Sequence, residues 1–246
     1  MKVVWFCSTD RASGKSLFAF SVIRKLRGMG IPFDVVKLGG VRTAADEAEI
    51  DFLNAMGVSP VDLTESGMAH GDPKRGLEQL RPKSELVIVI GTERIFSDAE
   101  PDLDSEAKLA DQIGAHLFLA HRYSGRADLL YTTLALKSYL GDKLAGILIN
   151  RVPGGELEAI SKLAAEELNP KGIPVIAVLP EDRILGSATL EEIAGAVEGE
   201  FLVDGGEARL VESHTLGTSA YAGRLSIFKR LWQRIALIGG TEVELA

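Results

Sequence analysis

Six short apolar runs, each set off from the next by a stretch of helical spacing or by a long polar connection, limit what this 246-residue chain can become. They are VVWFC (3–7), FDVVKL (33–38), LVIVI (86–90), HLFLA (116–120), LAGILIN (144–150) and IPVIAVL (173–179). None alternates cleanly between apolar and polar positions, so each reads as a strand covered on both faces. Residues 16–28, 45–56, 124–140 and 156–168 place apolar side chains at helical spacing and end near Gly, Asn or Pro. Strands alternating with helices predict an α/β fold built on a doubly wound, mainly parallel sheet. With 46% hydrophobic residues, such a sheet has enough apolar material for a substantial core.

The rhythm changes after Pro180. There the sequence predicts a short helix over 190–197, a small strand over 201–203, a turn at Gly205-Gly206, a longer helix over 219–232 and a last strand over 235–238. The expected organisation is therefore a first domain over 1–180 and a second over 181–246. A piece of about sixty-five residues is near the lower limit for an independent core, so it is expected to pack on the first domain or on a partner. The apolar stripe of 221–232 carries Arg224, Lys229 and Arg230. It reads as a core-facing helix with basic stems reaching out to water rather than as a membrane-surface helix.

Charge and cysteine content narrow the functional classes. Twenty-seven basic residues stand against 35 acidic ones, for a net charge of -8 spread along the chain. That argues against nucleic acid as a partner. Cys7 is the one cysteine, which excludes an internal disulfide and a cysteine metal cluster. It reads as a small buried apolar residue rather than a reactive thiol. The first apolar run meets Asp10 and Arg11 too soon for a signal peptide or a membrane span, so a cytoplasmic protein without membrane attachment is expected. His70, His116, His121 and His214 show no metal-ligand spacing.

The chemistry is concentrated in CSTDRASGKS, residues 7–16. Gly14-Lys15-Ser16 follows a predicted strand and begins a predicted helix, the setting that a phosphate-binding loop requires. In that setting consecutive backbone N–H groups surround phosphate oxygens, a lysine ammonium balances the outer phosphates and a serine hydroxyl ligates magnesium. The common pattern G-x-x-x-x-G-K-[ST] would place its first glycine at position 9, where this chain has Thr9.

The loop resembles that of the dethiobiotin synthetase family, in which G-T-D-T precedes two variable residues and G-K-T. Thr9, Asp10, Gly14 and Lys15 match, and Ser8 stands for the first glycine. Related division and transport ATPases carry an extra lysine where this chain has Asp10, which separates it from that branch. The resemblance covers about 1–180 and implies a P-loop NTPase fold. It also implies ATP and Mg2+ as ligands, pairing as a homodimer, and a small carboxylate or amine as substrate. Nucleotide contacts would come from Thr9, Asp10, Ser13, Gly14, Lys15, Ser16 and Leu17, with Asn150 of ILINRVP at the base; an Asn amide both donates and accepts. Ser16, Asp46 and Asp51 would hold the metal, although Glu47 and Glu49 in the same stretch make a solvated acidic face an equal reading. Lys15, Lys37 and Glu93 would be the catalytic groups. Lys37 reads equally as a solvated strand-end lysine.

The whole chain also resembles the N-terminal region of long phosphotransacetylases, where this fold precedes a DRTGG domain. The segments AHRYSGRADLLYTTLALKSYLGDKLAGILINRVP and PEDRILGSATLEEIAGAVEGE carry that likeness. The continuous Asp-Arg-Thr-Gly-Gly signature is not visible after residue 181. A second departure bears on chemistry. Where the synthetase family ends its third strand with a metal-holding glutamate, this chain has Ile90, and an isoleucine cannot ligate magnesium. Three readings follow. The favoured one is an ATP-binding regulatory or ligand-sensing module. The others are an ATP-dependent enzyme in which Glu93 replaces the lost acid, and a structural subunit with an empty loop.

Overall fold

The computed structural model describes residues 1–38, 44–62, 84–92, 94–96, 105–182, 184–202, 210–217 and 234–238. The chain divides into two compact units, Met1–Glu181 and Asp182–Ala246.

The first unit is a seven-stranded sheet in the order β3-β2-β4-β1-β5-β6-β7. Its strands are β1 (Lys2–Ser8), β2 (Asp34–Lys37), β3 (Val61–Asp62), β4 (Leu86–Ile90), β5 (His116–Arg122), β6 (Leu144–Val152) and β7 (Val175–Pro180). Every pairing is parallel. The helices are α1 (Lys15–Gly28), α2 (Ala44–Ala55), α3 (Ser105–Gln112), α4 (Arg126–Leu140) and α5 (Leu157–Leu163). This is a doubly wound α/β arrangement, with the Gly14-Lys15-Ser16 turn joining the central strand β1 to α1.

The two faces of the sheet separate by the period-two rule. Val3, Trp5 and Cys7 of β1 and Val87 and Val89 of β4 belong to one buried cluster, together with Leu117, Leu119, Leu129 and Leu136. Phe6, Ile88 and Ile90 turn to the opposite cluster, where Ala19 and Ile23 of α1 and Leu53 of α2 meet them. Ala19 and Ile23 are four residues apart and fully buried, so one stripe of α1 packs on the sheet. Burying a side chain the size of Ile23 contributes about 2 kcal/mol, and both faces can be apolar because helices cover each of them. Ile90 is fully buried in the α1-side core.

Some elements differ from the sequence reading. The short edge strand β3 and the helix α3 were not expected, since each is too brief to show a period. The segment expected as one helix over 156–168 is α-helical only to Leu163 and continues as a π turn over Ala164–Leu168.

In the second unit, α6 (Leu190–Ala196) begins with a capping box: Thr189 accepts from the Glu192 N–H at 3.1 Å and donates its own N–H to Glu192 Oε2 at 2.8 Å. Strand β8 (Ala188–Thr189) pairs antiparallel with β9 (Leu210–Val211), and β10 (Ser213–Gly217) pairs in parallel with β11 (Arg234–Ile238). Phe201 and Leu202 are not in a strand, a correction to the expected strand over 201–203. The Gly205-Gly206 turn and the helix expected over 219–232 lie outside the described residues.

Candidate phosphate-binding site

The turn between β1 and α1 is shaped by two residues in the left-handed region, Ala12 at φ 57° and Gly14 at φ 93°. Alternation of hand in successive residues turns backbone N–H groups toward one side, which is how anion-binding concavities form. Gly14 is the N-cap of α1 and supplies no side-chain cap, and the first turn of the helix holds no acid. The first i to i−4 bond runs from the Phe18 N–H to the Gly14 carbonyl, at 3.0 Å. The amides of Lys15, Ser16 and Leu17 therefore precede the helical ladder and have no partner within it. An uncapped, acid-free helix start of this kind favours an anion.

Lys15 is 7% exposed. Its Nζ donates to the carbonyl of Gly91 and, at 2.8 Å, to that of Thr92, just past the end of β4. Burial, reinforced by the nearby Lys37 charge, pushes its ammonium below the ordinary 10.5, while Glu49 and Glu106 pull the other way. Ser16, next along, donates its hydroxyl to Glu49 Oε1. Glu49 in turn pairs with Lys37 at 2.7 Å, and Lys37 also meets Asp46 at 3.0 Å. Lys37 is thus a buried, paired lysine at the end of β2 rather than a solvated one. Its burial would lower the ammonium, yet Glu49 and Asp46 outweigh burial and hold it above 10.5.

These contacts redistribute the acids. Asp46 and Glu49 are three residues apart on α2 and face Lys37 together. Asp51 is five residues from Asp46, about 140° around the helix, and is exposed, away from Ser16. The carboxylate beside the Ser16 hydroxyl is Glu49, which sequence reading had placed among the solvated acids. A hydroxyl and a carboxylate are hard oxygen donors of the kind magnesium takes, with the remainder of its shell from phosphates and water. Glu93 lies outside the described residues.

On the β5 and β6 side, Asn150 donates Nδ2–H to the Ser13 carbonyl at 2.9 Å. Ser13 is 1% exposed, and its hydroxyl has no hydrogen-bond partner among the described residues. Thr9 Oγ1 donates to Asp10 Oδ2 at 3.3 Å and lies 3.1 Å from His121 Nδ1. Leu17 is half exposed on the first turn of α1. Cys7 is fully buried, with its thiol pushed up by burial and, secondarily, by Glu106.

Two further residues had no sequence signal. Glu106 of α3 is 6% exposed and accepts from Trp5 Nε1–H at 2.8 Å, from the Thr92 N–H at 3.0 Å and from the Thr92 hydroxyl. Burial raises its carboxyl above the ordinary 4.5, against the lowering influence of Thr92, Lys15 and Trp5. His121, at the end of β5, is 2% exposed, and burial holds its imidazole below 6.5 despite the nearby Asp128 and Asp10. A depressed histidine contributes stability that is full above about 6.5 and is lost as the pH falls, because the unfolded chain then binds the proton more readily. Urea titrations from pH 7.5 to 5 are expected to show stability falling in the wild type and a shallower fall in His121→Gln. Equal slopes would show that His121 does not set the acid limb.

No known family model matches the chain. Among solved structures it is similar to the hydrogenase maturation factor HypB from Archaeoglobus fulgidus, at 17% identity over 73% of this chain and 81% of that one, with a TM-score of 0.45. It is also similar to chloroplast FtsY from Physcomitrella patens, at 14% identity over 72% of this chain and 58% of the other, with a TM-score of 0.49. A third is the signal recognition particle 54 kDa protein from Aeropyrum pernix K1, solved in complex with GDP, at 16% identity over 74% of this chain and 42% of that one, with a TM-score of 0.46. Among the described residues no helix is long and apolar enough to cross a membrane.

Proposed function

We propose that the chain binds an adenine nucleotide, ATP, at the β1–α1 turn and acts as a regulatory or ligand-sensing module. What carries this reading is the start of α1: three amides ahead of the helical ladder, two left-handed residues, no acid in the first turn, and Lys15 and Ser16 as its first two residues. The amides and the dipole hold phosphate oxygens. Lys15, drawn from the Gly91 and Thr92 carbonyls, balances the charge of the outer phosphates. Magnesium, held by Ser16 and Glu49, would neutralise phosphate oxygens when bound.

Binding without turnover is favoured by Ile90. The resemblance expects an acid there, and the residue is an isoleucine sealed in the core. Phosphoryl transfer depends on positioned charge around the transferring group, so its loss affects catalysis more than binding. One observation favours the alternative, an ATP-dependent enzyme acting on a small carboxylate or amine: Glu49 restores a carboxylate beside Ser16, and Lys37 stands next to it. As proposals, the second unit is related to DRTGG domains and the protein is a homodimer.

Calorimetry decides between binding and an empty loop. Mg-ATP is expected to bind at one site per chain, at least tenfold tighter than Mg-GTP, with no steady release of phosphate. Absence of binding by either nucleotide would leave only the structural-subunit reading. Steady ATP turnover, accelerated by a small carboxylate, would establish the enzyme instead.

A further inference from the structure

We propose that Asn150 is a positioning residue that braces the phosphate-binding turn; the inference rests on the turn being a nucleotide site. Its placement follows from a break in the sheet. The pairing of β6 with β7 shifts register between Ile149 and Val152, and Arg151 within that break is left-handed, at φ 60°. Irregularities of this kind re-aim a side chain at the end of a strand. The main chain there stays anchored, because the Asn150 carbonyl accepts from the Tyr123 N–H at 2.9 Å.

The re-aimed amide is committed at both ends. Nδ2–H donates to the Ser13 carbonyl at 2.9 Å, and Oδ1 accepts from the Arg151 N–H at 2.9 Å. A carbonyl can only accept and an N–H can only donate, so these partners fix which end of the amide is which. Of the amide's two N–H groups and two oxygen lone pairs, one of each is engaged inside the protein, and these two bonds hold the side chain against the turn. The amide also occupies the space beside Gly14, where a Cβ would overlap Nδ2.

The consequence for the turn is geometric. In a trans peptide the carbonyl and the following N–H point in opposite directions. Holding the Ser13 carbonyl toward β6 therefore turns the Gly14 N–H away from β6. The turn includes Ala12 in the left-handed region, a conformation that costs a residue with a Cβ about 1 kcal/mol. A strained turn of this sort needs an external hold, and Asn150 supplies it.

The test compares Mg-ATP with magnesium tripolyphosphate, which has the phosphates and no base, on wild type, Asn150→Ala and Asn150→Asp. It adds hydrogen exchange on the unliganded proteins. Asn150→Ala should weaken both ligands by the same factor, about tenfold, for one lost hydrogen bond that orders the site. Asn150→Asp should weaken both further, since a carboxylate oxygen then faces the Ser13 carbonyl. In both variants amide exchange should rise over residues 9–18 and stay unchanged over 144–149, with the melting temperature within a few degrees of wild type. Loss of ATP affinity with tripolyphosphate unaffected would make Asn150 a base reader and overturn the proposal. Unchanged exchange over 9–18, or a lowered melting temperature with affinities intact, would overturn it as well. A wild type that binds neither ligand removes the nucleotide reading by itself, and the brace then stands or falls on the exchange measurement alone.

Discussion

Replacing Lys15 by alanine is expected to weaken Mg-ATP binding by a hundredfold or more while leaving the protein folded. Removing the one ammonium at the start of α1 leaves phosphate charge without its counter-charge. Truncating one partner of a desolvated charge pair costs about 3 kcal/mol, which is roughly a hundredfold in affinity. The folded state loses less. Lys15 sits 7% exposed, with burial already pushing its ammonium below 10.5, so the unliganded protein carries a desolvation cost that the variant removes. Against this, the Gly91 and Thr92 carbonyls lose their donor. These opposing effects leave the melting temperature within a few degrees, and Lys15→Met, which keeps the volume, should behave alike. Calorimetry with a parallel thermal melt checks both halves. Affinity within threefold of wild type would show that phosphate is held elsewhere or not at all.

What could be read in advance was whatever is local and periodic. The six long strands and the helix after Lys15 follow from runs of apolar residues and from their spacing, and the alternation of strands with helices predicts the mainly parallel sheet, though not its strand order. The position of the turn was legible because Gly14-Lys15-Ser16 falls between a predicted strand and a predicted helix. The surroundings of the turn were not, for three different reasons. Glu49 was visible but unchosen: counting 100° per residue from Asp46 places Glu49 on the same face of α2 and Asp51 on another, and that arithmetic would have found it. Glu106 is 101 residues from Trp5 and 14 from Thr92, and no local pattern links a helix acid to a strand tryptophan across that separation. Asn150 reads from the sequence as a base contact, and its Nδ2–H donates to the Ser13 carbonyl. Its side chain is aimed by a register shift and a left-handed Arg151, neither of which leaves a sequence signature. Lys37 shows the same limit in energetic form. A strand-end lysine reads as solvated until two acids of the next helix are seen to bury with it.

The position that should tolerate change least is Gly91, which follows Ile90 at the end of β4. Gly91→Ala is expected to lower stability by about 3–5 kcal/mol, as much as deleting a core leucine. A Cβ there would overlap Glu106 Oε1 and come within 2.6 Å of Trp5 Nε1. Neither side chain has a retreat. Glu106 is held by Trp5, by the Thr92 N–H and by the Thr92 hydroxyl, and moving it strips a buried carboxylate of its donors at about 1–3 kcal/mol for each group left unsatisfied. The backbone cannot move instead, because the Gly91 N–H donates to the Phe6 carbonyl at 2.9 Å and its own carbonyl accepts from Lys15. Urea denaturation measures the loss, and a double-mutant cycle with Glu106→Ala assigns its cause. Removing the carboxylate relieves the overlap, so the two substitutions together should cost clearly less than the sum of the single effects. Strict additivity, or a loss below 1 kcal/mol for Gly91→Ala alone, would mean that Glu106 is not packed against the strand end. The carbonyls that hold Lys15 would then be positioned by something other than this buried acid.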